Sequence, residues 1–302
     1  MKRREFLNTA AISCAALGGI RSEAQTPVES PKFRMAFAPH FGMFEASAGT
    51  DLIDQLRFAS DQGFSAWEDN SMKDRPLEDQ LRISEEIERL GMRMGVISAM
   101  RGLWKNVSFA GDDQAARDEV LHSIKEASVV AQRVNAKFLT VVVGFADPKL
   151  SRDYQTANCI ELLKRCCDLV EPHQQVMVLE PLNVKKNHPG VFLSESPHAF
   201  QICKAVGRPS CKILFDIYHQ QITEGNLIPN IDRCWDEIAY FQAADNPGRK
   251  EPGTGEIHYK NVFAHIAAKG YDGVVGMEHG NSIKGEAGER AVIEAYRAVD
   301  PS

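Results

Sequence analysis

Thr140-Val141-Val142-Val143 is an unbroken β-branched, apolar run with no polar alternation after its first residue. A strand with one wet face alternates apolar and polar side chains, whereas a parallel strand covered on both faces is apolar throughout. The run therefore predicts a buried parallel strand over Phe138–Val143, preceded by an amphipathic helix over Gln114–Val134. Outward from it, the same strand–helix unit recurs eight times after Pro31, at intervals of roughly 30–40 residues. The other strand candidates are Arg34–Ala38, Ser65–Glu68, Arg93–Ser98, Val176–Glu180, Lys212–Asp216, Ile238–Ala243 and Val274–Glu278. The other helices centre on Leu52–Ser60, Leu77–Leu90, Tyr154–Val170, Pro197–Val206, Leu227–Trp235, Tyr259–Lys269 and Glu286–Ala298. Gly63, Gly91, Gly207 and Gly270 each stand just past a helical run, where a left-handed residue ends a helix. Eight such units with no sequence left for a second domain predict an α/β protein, a single (β/α)8 TIM barrel over residues 31–302. An open doubly wound sheet usually has fewer units and a Gly-rich dinucleotide turn after its first strand, and no such turn is present here.

The chain length of 302 residues suits one barrel domain. A net charge of −6 and the absence of a basic stripe argue against a nucleic-acid partner. No apolar stretch reaches the roughly 20 residues of a membrane span. The first 24 residues read as a leader. Arg3-Arg4-x-Phe6-Leu7 precedes a weakly apolar run, Ala10–Ile20, and Ser22-Glu23-Ala24 offers small residues for cleavage. This is the pattern of a twin-arginine signal peptide, and it predicts export in folded form to a periplasmic or extracellular location. Cys14 lies in the leader. Cys159, Cys166, Cys167, Cys203, Cys211 and Cys234 lack metal-ligand spacing and read as buried free thiols.

In a barrel of this type the working residues lie at the C-terminal ends of the strands. Strands five to eight end in Glu180, Asp216, Gln242 and Glu278. Alternation puts Val178 and Glu180 on one face, and Leu214 and Asp216 likewise, so the acids can point inward above the core. Three carboxylates converging there need a cation or a proton to coexist. An all-oxygen donor set with one amide suits a hard divalent ion, Mg2+ or Mn2+.

Leu179-Glu180-Pro181-Leu182-Asn183, Asp216-Ile217-Tyr218-His219 and Pro247-Gly248-Arg249-Lys250-Glu251-Pro252-Gly253-Thr254-Gly255-Glu256-Ile257 together resemble the hydroxypyruvate isomerase family of xylose isomerase-like barrels. The resemblance implies one divalent metal held by Glu180, Asp216, Gln242 and Glu278, with Glu180 and Glu278 doubling as the catalytic acid/base pair. It implies that His219, Arg249 and Glu256 contact a small sugar or hydroxy-carbonyl substrate. Gln242 favours the isomerase over related ketose epimerases, which carry His there. The chemistry is consistent with these roles: an aldose–ketose isomerisation moves a proton between adjacent carbons through an enediolate, and two carboxylates can relay it. His40, Glu68 and Trp104, after strands one, two and three, are further candidates for substrate contact, as are Met100 and Arg101. Gly253-Thr254-Gly255 can present backbone N–H groups to an anion or simply form a tight turn.

Two segments depart from the family pattern. His279-Gly280-Asn281 follows the last glutamate in place of an aromatic and a basic residue, and Pro39-His40-Phe41 replaces an Asn-centred segment after strand one. Both lie where the substrate tail would bind, so a ketose 3-epimerase and a non-catalytic sugar-binding barrel stand as alternatives. An endonuclease of the same superfamily would need a His-rich multi-metal cluster and a basic surface. The export reading has its own test: changing Arg3 and Arg4 together to Lys is expected to leave the precursor in the cytoplasm, and unchanged export in a fractionation assay would refute it.

Overall fold

The structure is a computed structural model that describes residues 31–301; the leader expected over residues 1–24 lies outside the described residues. Nine strand segments follow in order: β1 (Ala36–Ala38), β2 (Ala66–Trp67), β3 (Arg93–Met94), β4 (Ile97–Ser98), β5 (Phe138–Val141), β6 (Val176–Leu179), β7 (Cys211–Asp216), β8 (Ile238–Gln242) and β9 (Val274–Gly276). All ladders are parallel. One seven-stranded sheet runs β1-β9-β8-β7-β6-β5-β4, and β2 pairs with β3. β3 and β4 are two halves of the expected third strand. They are parted where the Val96 N–H donates to the Tyr240 hydroxyl at 3.4 Å instead of to a neighbouring strand. The Glu68 N–H donates to the Pro39 carbonyl at 2.9 Å, joining the ends of β1 and β2 and closing the ring.

The eight expected helices are present at Leu52–Asp61, Leu77–Arg89, Gln114–Arg133, Arg152–Val170, Ser196–Val206, Leu227–Cys234, Tyr259–Ala268 and Gly285–Val299. Gly63, Gly91, Gly207 and Gly270 take φ of 90°, 63°, 67° and 82°, as their positions after helices required. Two short helices were not legible in the pattern, Glu45–Ala48 and Ile217–Thr223. The second starts directly on Asp216, which caps it.

Burial divides into two layers. Between strands and helices lie Phe37, Leu139, Val141, Ile213, Phe215 and Phe241, with all six cysteines of the described residues buried and unpaired. Inside the ring lie Ala36, Ala38, Ala66, Val96, Val178, Leu214, Tyr240 and Val274. The small residues of β1 and β2 make room for Tyr240, whose hydroxyl reaches across the interior. Gly95 and Gly276 complete that room. A Cβ on Gly95 would sit 2.5 Å from the Tyr240 hydroxyl, and one on Gly276 would sit 1.9 Å from Oε2 of Glu68. Gly276→Ala is therefore expected to cost about 3 kcal/mol, the upper end for overpacking a core. Urea unfolding of Gly276→Ala, Glu68→Ala and the double variant should show losses that fall short of additive, because the collision disappears with the carboxylate.

Candidate active site

The interior period of the strands carries Glu180, Asp216, Gln242 and Glu278 to one end of the barrel. Asp216 and Gln242 are direct register partners across β7 and β8. Glu180, Asp216 and Gln242 are buried, and Glu278 keeps 30 % of its side chain exposed. Asp216 divides its two oxygens. Oδ1 accepts from the N–H groups of Tyr218 (2.8 Å) and His219 (3.4 Å), while Oδ2 faces Arg249 Nη2 at 3.2 Å. Arg249 also donates to Glu278 Oε2 at 2.6 Å and, through Nε, to the Glu278 carbonyl at 3.1 Å.

Burial, with the Glu278 and Asp216 carboxylates beside it, pushes Glu180 well above the usual range, and Arg249 offsets this only in part. Burial also raises Asp216, against the opposing pull of Arg249 and two backbone N–H groups. One cation is thus shared among three carboxylates in a largely buried site, and the site retains a demand for positive charge. Gln242 supplies the matching neutral donor. Its Nε2 donates to Glu68 Oε1 at 2.7 Å, which leaves its buried Oε1 without a partner. The residues therefore fit a hard divalent ion with oxygen ligands.

Glu180, Asp216 and His219 offer ligand atoms within 4.8 Å of one another. Hydrogen bonding decides against His219 as a ligand. Its Nδ1 accepts from the backbone N–H of Asn183 at 3.2 Å and from Asn183 Nδ2 at 2.6 Å. That amide's orientation is itself fixed, since Asn183 Oδ1 accepts from the N–H groups of Lys186 and Asn187. The ring proton therefore sits on Nε2, which is buried, has no partner and lies 3.5 Å from Asp216 Oδ2. Burial, with Arg249 nearby, holds His219 well below its ordinary pKa. It is a neutral donor aimed at the carboxylate cluster, suited to a substrate oxygen.

A cleft of about 670 Å³ opens onto these groups, lined by Glu180, His219, Arg249, Glu278 and Trp104, with Thr140 on its inner wall. His40 and Glu68 are not in that cleft. They line an adjoining chamber of about 220 Å³ that shares Asn70 and Glu278 with it. His40 Nε2 lies 3.0 Å from the His279 carbonyl. Glu256 is brought to neither space: it is exposed and accepts from Asn246 Nδ2 at 2.6 Å and Gln221 Nε2 at 3.2 Å. Arg101 lines the cleft with its guanidinium held by Asp74 at 2.5 Å, and Met100 is buried in the core. Sequence reasoning missed His188, whose ring packs edge-on against Trp104 at 5.2 Å and near His219 at 5.3 Å, with Nδ1 buried and unpartnered. It also missed Asn70, which donates toward Glu68 and Glu278 at 3.4 and 3.5 Å. Both follow strand ends, so the rule that exposed the acids covered them, but neither stands in a recognisable motif.

A family profile described as xylose isomerase-like TIM barrel matches residues 56–299. The hydroxypyruvate isomerase of Escherichia coli strain K12 is 33% identical over 62% of this chain and 70% of its own length. The chain belongs to the xylose isomerase-like TIM barrel family, on its hydroxypyruvate isomerase branch. The 2-oxo-tetronate isomerase of Pectobacterium atrosepticum is similar at 29% identity over 78% of this chain and 89% of that protein. A solved structure described as an AP endonuclease, family 2, from Brucella melitensis superposes with a TM-score of 0.72 at 26% identity, covering 85% of this chain and 96% of that one. The chain is accordingly an enzyme of the isomerase class. Among the described residues, the one cluster of potential metal-binding His, Cys, Asp and Glu groups is the acid-rich set at the barrel mouth, not a His-rich one.

In this family member the segment carrying Arg249 is built around a buried acid. Asp245 is fully buried. Its Oδ1 accepts from the N–H groups of Asn246 (2.9 Å) and Ile257 (3.1 Å), and its Oδ2 from those of Gly253 (2.8 Å) and Gly255 (2.9 Å). The Gly253-Thr254-Gly255 turn thus does present N–H groups to an anion, one supplied by the chain itself. Arg249 adopts φ 53° within this loop. Glu251 ties the loop to the segment after β9 by accepting from the N–H (2.9 Å) and hydroxyl of Ser282. Asp245→Ala strips four N–H groups of a charged acceptor, and is expected to cost about 3 kcal/mol. Limited trypsinolysis of the native variant should then cut after Arg249 or Lys250, where the wild type resists.

Proposed function

We propose that this protein is a divalent-metal-dependent isomerase that moves a proton between adjacent carbons of a small hydroxy-carbonyl or sugar substrate. The observation that carries this reading is the orphaned Oε1 of Gln242, set beside a buried carboxylate cluster that one arginine cannot neutralise. Glu180, Asp216, Gln242 and Glu278 would hold Mg2+ or Mn2+. When bound, such an ion polarises the substrate's carbonyl and hydroxyl oxygens and stabilises negative charge developing on them.

The chain's own residues account for the proton's path. One of Glu180 and Glu278 takes the proton from the hydroxyl-bearing carbon, which leaves an enediolate. The other, protonated at the outset, gives its proton to the former carbonyl carbon, the hydroxyl proton passes to the new hydroxyl, and exchange with solvent resets both carboxyl groups. Glu180 suits this work because burial and its acidic neighbours raise its affinity for protons well above that of an ordinary carboxylate. His219 donates its Nε2 proton to a substrate oxygen as a hydrogen bond, and its ring is held by Asn183. Arg249 can fork onto a substrate carboxylate at the cost of its contact with Glu278. Trp104 and His188 form an outer wall that limits water around the reacting carbons. The names of the relatives favour three- and four-carbon oxo-acids over longer ketoses. We further propose that the enzyme works after export, carried by its Arg3-Arg4 leader.

Wild-type protein loaded with Mn2+ and given a panel of hydroxy-carbonyl substrates in D2O is expected to place deuterium at carbon and to exchange aldehyde for ketone. A changed stereocentre alone would instead identify an epimerase. Glu180→Gln and Glu278→Gln should each lower kcat by about 100-fold or more, a larger loss than that in metal content measured beside it, since the amide keeps one oxygen but removes the basic carboxylate. Full recovery of either variant at saturating metal would show that glutamate to be a ligand without a role in proton transfer.

A further inference from the structure

An amide is an ambiguous ligand. Its oxygen and nitrogen ends are nearly the same size, and a half-turn of the side chain exchanges a lone pair for two N–H donors. If Gln242 is to offer oxygen to a cation, as the proposed function requires, something in the fold must forbid the other orientation.

We infer that Glu68 is a positioning residue that locks the Gln242 amide with its oxygen toward the carboxylate cluster. Glu68 is buried at the end of β2, where it borders the smaller chamber and not the main cleft. Oε1 accepts from Gln242 Nε2 at 2.7 Å, and Oε2 accepts from the Tyr240 hydroxyl at 2.9 Å. The second contact holds the carboxylate from the far side. Tyr240 and Gln242 stand on the same face of β8, so one strand supplies both the locked amide and the anchor of its lock. Against an ionised Glu68, a glutamine turned the other way would set its own oxygen on Oε1 and lose a buried hydrogen bond. The space for the arrangement is built into the neighbouring strand: a Cβ on Gly276 would lie 1.9 Å from Glu68 Oε2 and 3.0 Å from Gln242 Cγ. The buried Gln242 Oε1 is left without a partner by the lock, as is Oδ1 of Asn70, whose Nδ2 donates toward the same Glu68 oxygen at 3.4 Å. Glu68 thus acts through another residue, and it needs no contact with substrate.

Two measurements test this, one of which needs no metal. In 15N spectra of the metal-free protein, the Gln242 side-chain pair is assigned by its absence from Gln242→Ala. The pair should be protected from exchange with water in the wild type and in Glu68→Gln, whose side-chain carbonyl still accepts the bond. It should exchange freely in Glu68→Leu, or in Glu68→Ser if the leucine variant does not fold. In calorimetric titrations with Mn2+, the variant lacking the acceptor should bind about 10-fold more weakly or worse, the range for losing the partner of a metal ligand. Glu68→Gln should stay within about 3-fold of wild type. In a Gln242→Ala background, removing Glu68 should change the affinity less than about 2-fold. An unprotected Gln242 pair in the wild type, or an equal loss of affinity with and without Gln242, would overturn the inference. If the wild type takes up no Mn2+ at all, the metal-dependent reading fails, and the exchange measurement still decides the lock.

Discussion

Like charges crowded into a low-dielectric barrel mouth must be compensated, and the way this chain does so organises everything around the site. Glu180, Asp216 and Glu278 come from three strands of one parallel sheet, and the interior period of those strands gives them no alternative position. Within the chain, Arg249 is the compensating charge: it reaches Asp216 and Glu278 but leaves Glu180 offset only in part. A site balanced in this way leaves a place for the further cation that we propose it binds. On that proposal Arg249 is exchangeable, because an ion held by Asp216 and Glu278 would weaken the claims on the guanidinium and free it for an anionic substrate group.

That role requires the arginine to be held by its backbone rather than by its side-chain contacts. The Asp245 network meets the requirement. Four N–H groups converge on one buried carboxylate, so the loop from Asn246 to Ile257 is pinned from within and keeps its shape whichever partners the guanidinium takes. Glu256, which resemblance placed with the substrate, belongs to this scaffold: it clamps Asn246 and Gln221 on the outside of the loop. An acid in a functional loop need not touch the ligand, because the loop's own geometry also demands one.

The fold and the acid cluster were legible in the sequence for the same physical reason. Apolar β-branched runs such as Thr140–Val143 mark strands covered on both faces, and the strand-end rule then converts Glu180, Asp216, Gln242 and Glu278 into one location. What was not legible depends on contacts between chain segments far apart. The split of the third strand follows from a hydroxyl of β8 reaching Val96, about which no local pattern speaks. The retreat of His40 and Glu68 into the smaller chamber follows from which way the ends of β1 and β2 turn as the ring closes. His188 lacks any motif, and is drawn into the cleft by a loop whose course is set by Asn183 accepting from Lys186 and Asn187. The tautomer of His219 was out of reach for the same reason, since it rests on the identical asparagine.

The two neutral groups at the centre of the site face one problem and solve it alike. An imidazole can present a lone pair or a proton, and an amide can present oxygen or nitrogen, so neither has a definite role until a neighbour assigns one. At His219, a backbone N–H and a fixed amide claim the lone pair and turn the proton inward. At Gln242, a carboxylate claims the N–H and turns the oxygen inward. In both cases the assigning partner, Asn183 or Glu68, lies beyond the reacting volume and is itself fixed by other bonds, to backbone N–H groups in one case and to Tyr240 in the other. The donor for substrate and the oxygen proposed for the cation are therefore sorted before either binds. For the proton shift between adjacent carbons that we propose, this matters because a misassigned hydrogen bond would stabilise the wrong oxygen of the enediolate.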